Sequence, residues 1–181
     1  MAKNYSIQFN PKIDMKLDFQ VVAVIFYNKT GKMILPIAML NEQVTRVIPE
    51  LECGLTMKRN PEMFYVQITK RYYDECALAK PNFFESSMMH ELGHYLHGDL
   101  KRGYGEELGQ RRHLNDVIHN RVTTEEFEAD KFAVSETSKS TVLNGLQFLS
   151  QYLLKRPANK EEMEIAQKEI TIRKKAIQKM L

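Results

Sequence analysis

The chain has 181 residues, 43% of them hydrophobic, and a net charge of +3, which suits one compact domain with a real core and gives no case for a nucleic-acid partner. Its two cysteines, Cys53 and Cys76, form no C-x-x-C pair; they exclude a cysteine-built zinc knot and read as free thiols in a reducing compartment. The most apolar stretch, residues 21–40, is interrupted at residues 28–32 by Asn-Lys-Thr-Gly-Lys. No membrane span is therefore expected, and with no basic-then-apolar leader at the start, the cytoplasm is the expected location.

Residues 19–27 and 32–40 are rich in β-branched and aromatic side chains, and a turn at residues 28–31 joins them into an expected hairpin. Residues 41–51 could form a short helix capped by Asn41. Residues 63–70 alternate enough to be a strand, expected at the edge of a small sheet, where strand addition could hold an extended peptide. A helix over 83–97 is signalled by the turn at Pro81, an Asn82 cap and a capping-box Glu85. Phe84, Met88, Leu92 and Tyr95 give that helix an apolar stripe, and Gly98 a stop. Gly93 inside it costs about 1 kcal/mol relative to Ala. That cost points to a close backbone neighbour, expected to be an active-site strand.

Residues 101–122, charged and glycine-bearing, read as a loop or lid. A second helix opens with Thr123 or Thr124 as its cap. Residues 139–156 form an amphipathic helix through Val142, Leu146, Leu149 and Leu153, broken by Pro157. A last helix over 161–181 is acidic early and basic late, as its dipole prefers; Arg173, Lys174, Lys175 and Lys179 read as a solvated face.

The chemistry lies in His90-Glu91-Leu92-Gly93-His94, an H-E-x-x-H run. On a helix, residues four apart share a face, so both imidazoles can hold one metal ion. Glu91, turned about 100° away, can take a proton from an attacking water without ligating the metal. A catalytic zinc site needs a third protein ligand. His97 and Leu100 stand where the longer H-E-x-x-H-x-x-G-x-x-H pattern needs Gly and His, which excludes it. On the second helix, Glu126, Ala129, Asp130 and Ala133 share one face, and its two alanines permit close approach. Glu126 is the expected third ligand, with Glu125 and Glu128 as competing neighbours. Asp130 is the expected partner of the free ring N–H of His90 or His94. His97 reads as a helix-end residue near the C-terminal dipole. His113, His119 and Tyr104 are candidate donors to the transition state.

His90-Glu91-Leu92-Gly93-His94 followed by Glu126-Phe127-Glu128-Ala129-Asp130 resembles the gluzincin-type zinc metallopeptidases. The pattern is similar to that of the HtpX and CaaX-protease-like family, whose second motif is E-F-x-A-D. It also resembles the ImmA/IrrE-like family, whose ending is matched by Lys131-Phe132-Ala133. The likeness covers about residues 82–136. It implies Glu126 as the zinc ligand, one zinc ion per chain and a protein or peptide substrate. The ImmA/IrrE likeness further implies a regulatory partner and control of a transcriptional repressor.

These readings converge on an α+β, zincin-like single domain: a β-rich part over 1–80, zinc-site helices over 82–136 and C-terminal helices over 138–181. The expected function is a zinc-dependent endopeptidase with Glu91 as general base. The alternatives are a regulatory protein of the ImmA/IrrE type and a zinc-stabilised, non-catalytic binding protein.

Overall fold

The computed structural model describes residues 3–11, 20–28, 33–39, 53–59, 62–153 and 160–180. Among them the chain is α+β and divides into two compact units, Met1–Pro81 and Asn82–Leu181.

The first unit is a mixed five-stranded sheet. Its strands are β1 (Tyr5–Phe9), β2 (Gln20–Tyr27), β3 (Met33–Met39), β4 (Cys53–Arg59) and β5 (Glu62–Ile68), in the order β1-β2-β3-β5-β4. The expected hairpin is the antiparallel pair β2–β3, closing at Tyr27 opposite Met33. Residues 29–32 of its turn and the helix expected over 41–51 lie outside the described residues. β5 departs from expectation. It pairs in parallel with β3 at Val66–Ile68 and antiparallel with β4 along its length, so it lies inside the sheet rather than at its edge. The physical reason is β4: Cys-Gly-Leu-Thr-Met-Lys-Arg, with a glycine and two bases, carries little strand signal, yet it pairs along the whole of β5. Tyr65, Val66, Gln67 and Ile68 are all buried, so this end of β5 is covered on both faces. A short helical segment follows, Lys70–Tyr72 continuing into a π-turn over Tyr73–Leu78 (together α1), with the Thr69 hydroxyl accepting from the Tyr72 N–H.

The second unit is helical: α2 (Pro81–His97), α3 (Glu107–Ile118), α4 (Thr124–Glu136), α5 (Lys139–Leu153) and α6 (Lys160–Gln178), with a 3-10 turn at Leu100–Arg102 between α2 and α3. α2 starts at Pro81, so Asn82 lies inside the helix rather than capping it. Proline at the first helical position needs no N–H and has its φ preset. The expected stripe is in place, with Phe84, Met88 and Leu92 fully buried. The segment expected as a loop over 101–122 contains α3 instead. That helix buries only Gly109 and Val117 and leaves Leu108, Leu114 and Ile118 exposed, so its sequence shows no continuous apolar stripe. Its C-terminal end is held by Lys168 of α6, whose ammonium donates to the Ile118 carbonyl.

On α4, Glu126, Ala129, Asp130 and Ala133 are all buried. The close neighbour that Gly93 admits is this helix and not a strand. A Cβ on Gly93 would lie 3.0 Å from the Ala129 Cα and 3.3 Å from the Phe132 Cβ. Gly93→Ala would gain about 1 kcal/mol of helix propensity and lose about 1–3 kcal/mol to overpacking. The expected result in thermal unfolding is a lowered Tm. A Tm at or above that of the wild type would mean that the α2–α4 crossing can open without cost.

Candidate metal centre

Three donors converge in the second unit. His90 and His94 stand one turn apart on α2, their rings edge to face with centroids 4.7 Å apart, and Glu126 approaches from the first turn of α4. Thr123 sets that turn: it caps α4, and its hydroxyl accepts from the Glu126 N–H. A carboxylate in a capping-box position usually folds back on its cap. Here it turns to the histidines instead. Of the neighbouring glutamates, Glu125 pairs with Arg112 and Glu128 with Lys131.

The spacing of the donors tests whether a zinc ion fits. Bonds of about 2.0–2.1 Å at tetrahedral angles put donor atoms about 3.3–3.4 Å apart. The observed separations are 3.1 Å between the two histidine Nε2 atoms, 3.3 Å from His90 Nε2 to Glu126 Oε2, and 3.3 Å from His94 Nε2 to Glu126 Oε1. Among the described residues these three form the one group of His, Cys, Asp and Glu donors close enough to hold a metal ion. The geometry and the donor types fit zinc.

Each imidazole is fixed from behind by its own carboxylate. His90 Nδ1 donates to Asp130 Oδ1 at 2.9 Å, and His94 Nδ1 donates to Asp99 Oδ2 at 2.7 Å. Carboxylates accept and do not donate, so each ring keeps a proton on Nδ1, and Nε2 is the atom turned towards the other histidine and Glu126. Asp99 was missed in the sequence reading. Its position follows from the helix end: Gly98 takes φ 70°, Gly98 N–H donates to the Tyr95 carbonyl and Asp99 N–H to the His94 carbonyl. This is a Schellman motif, which turns the chain back so that the next side chain meets the last turn of the helix. The signal available was Gly-Asp directly after the helix that carries the motif. Arg102 holds the other Asp99 oxygen, and Asp99 is fully buried.

Arg173 was also missed. Read from the sequence as part of a solvated basic face, it is largely buried, while Lys175 and Lys179 are exposed as that reading holds. Its guanidinium donates to Asp130 Oδ2 from Nε (3.0 Å) and to Asp130 Oδ1 from Nη2 (2.7 Å), and Nη1 lies 3.2 Å from Glu126 Oε2. The remaining side chains divide. The Tyr104 ring stacks on His94 at 5.5 Å, and its hydroxyl donates to Glu126 Oε1 at 2.8 Å. His113 Nδ1 lies 3.2 Å from that hydroxyl, with Nε2 3.3 Å from Glu169. His119 is exposed, and its Nδ1 bonds the Asn115 carbonyl. Glu91 is half-buried, and its charge is felt at His94. His97 ends α2 with its ring edge against Phe132.

The electrostatics follow from burial and pairing. Burial pushes the Glu126 carboxyl up, but Arg173 and the two imidazoles outweigh it and hold the group well below the usual carboxylate range. Asp130 is held low against burial by Arg173 and His90. Burial pushes His94 down, yet Asp99 and Glu126 raise it to about 10; His90 is raised as well, mainly by Glu126 and Asp130. Burial and the Glu126 charge raise the Tyr104 hydroxyl, which keeps its proton.

No family model matches the chain, and no curated protein or solved structure is significantly similar to it. Among the described residues no helix is long and apolar enough to cross a membrane. Cys53 and Cys76 form no disulfide with each other.

The raised His94 has a consequence for the metal-free chain. A group whose folded pKa lies above its unfolded value contributes stability that is full below about pH 6.5 and fades as pH climbs towards about 10. The Tm of chelator-treated protein is therefore expected to fall between pH 6.5 and 10. Asp99→Asn, which removes the charge opposite His94, should flatten that fall. Parallel Tm curves for the two proteins would show that Asp99 does not hold the His94 proton.

Proposed function

We propose that the chain is a zinc-dependent endopeptidase of zincin-like fold, acting on a protein or peptide substrate. The observation that carries this reading is the donor triangle of His90, His94 and Glu126, whose edges match those of a tetrahedral zinc site with three protein ligands. A structural zinc site is closed by a fourth protein ligand, whereas a catalytic one keeps a position free. Three donors with Glu91 beside them fit the second kind.

Zinc, when bound, makes water more acidic and polarises the scissile carbonyl. The residues do the rest. Glu91 accepts a proton from the attacking water and passes it to the leaving amine. His90 and His94 keep their Nε2 lone pairs turned inward because Asp130 and Asp99 hold the opposite ring protons. Tyr104 retains its proton, and its one O–H can turn from Glu126 Oε1 to the oxygen that becomes negative as the carbonyl is attacked. His113, steadied by Glu169, can donate beside it. Substrate preference is assigned to the segment around Tyr104 and α3, which borders the donors.

Elemental mass spectrometry of the purified chain is expected to find one zinc per chain, weakened or lost in Glu126→Ala. With zinc supplied, Glu91→Gln should keep the metal and lose peptide hydrolysis by several orders of magnitude. Hydrolysis persisting in Glu91→Gln would remove Glu91 as the base. A wild type that binds zinc but takes no hydroxamate would favour a zinc-stabilised binding protein instead.

A further inference from the structure

We infer that Arg173 of the last helix is a positioning residue for the metal centre, holding Glu126 and Asp130 in the geometry that the zinc-ligand reading requires. The inference rests on that reading and adds to it a member from outside both motifs.

The Glu126 carboxylate is clamped through both oxygens. Oε2 faces Arg173 Nη1 at 3.2 Å, and Oε1 accepts from Tyr104 at 2.8 Å. The two oxygens are thereby assigned to different neighbours, and the carboxylate plane is fixed with one oxygen towards each histidine. The same guanidinium grips both oxygens of Asp130, through Nε and Nη2, and Asp130 in turn holds His90 Nδ1. One planar fork therefore orients a candidate ligand directly and a second through its supporting carboxylate. A lysine has a single donor point and cannot make both sets of bonds. Arg173 is itself steadied by Glu169 one turn earlier on α6, at 3.4 Å.

A cation beside a cation site could serve only to neutralise charge. That alternative predicts the opposite result. Removing a positive charge next to the metal strengthens zinc binding on Coulomb grounds, whereas losing an orienting partner weakens it by roughly 10–100-fold.

The experiment compares wild type, Arg173→Met and Arg173→Lys. Zinc affinity is measured by competition with a chromophoric chelator, and the cobalt-substituted proteins are compared by visible absorption. The expected result is zinc binding roughly 10–100-fold weaker in Arg173→Met and intermediate in Arg173→Lys, with a changed cobalt spectrum in both. Zinc binding unchanged or tighter in Arg173→Met overturns the inference. If that variant does not fold, Arg173→Lys decides: wild-type affinity with a wild-type cobalt spectrum overturns it, and weaker binding supports it. A wild type that binds no zinc brings down the ligand reading and this inference together. Wild-type zinc binding that the variants share brings down only the inference.

Discussion

Carboxylates buried together in a small volume must each be answered by a cation or by hydrogen-bond donors, and the second unit is arranged around that requirement. Asp99, Glu126 and Asp130 are all buried. Ionised carboxylates taken out of water cost several kcal/mol each unless paired. Asp99 is met by His94 and Arg102, Asp130 by His90 and Arg173, and Glu126 by both imidazoles, Arg173 and Tyr104. Each carboxylate has at least two partners, and removing one of them leaves its charge only partly compensated. The positions of α2, α4 and α6 are thus coupled through their charged side chains as well as through apolar packing.

The same requirement settles the tautomers. An acceptor behind each ring keeps a proton on Nδ1 and turns Nε2 inward, the atom that a metal would take from the neutral imidazole. The turn of chain after α2 is part of this arrangement. Gly98 in the left-handed region lets Asp99 return to His94, and the Tyr104 N–H then donates to the Asp99 carbonyl. The device that ends the helix thus also sets its second histidine and begins the segment that carries Tyr104 onto the histidine ring. Close packing supports it from the other side, because Gly93 lets α4 come near enough for Glu126 to reach both Nε2 atoms.

Local patterns could be read in the sequence, and with them the meeting of the two motifs; partnerships outside those motifs could not. The helical spacing of His90 and His94, the face shared by Glu126 and Asp130, and the β2–β3 hairpin follow from periods of 3.6 and 2 that any window of sequence displays. β4 and α3 were illegible for the complementary reason. β4 is made a strand by pairing with β5 despite its glycine and its two basic residues. α3 leaves three large apolar side chains in water and so lacks the stripe by which a helix is recognised. Arg173 is the clearest case. Beside Lys174 and Lys175 it belongs to a basic run, although Ile170 and Ile177 put it towards the buried face of the helix. Its partners lie 43 and 47 positions away, on α4, where two carboxylates on one helix face are an anomaly unless a cation lies opposite. The anomaly and its answer were both present in the sequence, on separate helices. Only the docking of α6 beside α4 shows that one resolves the other.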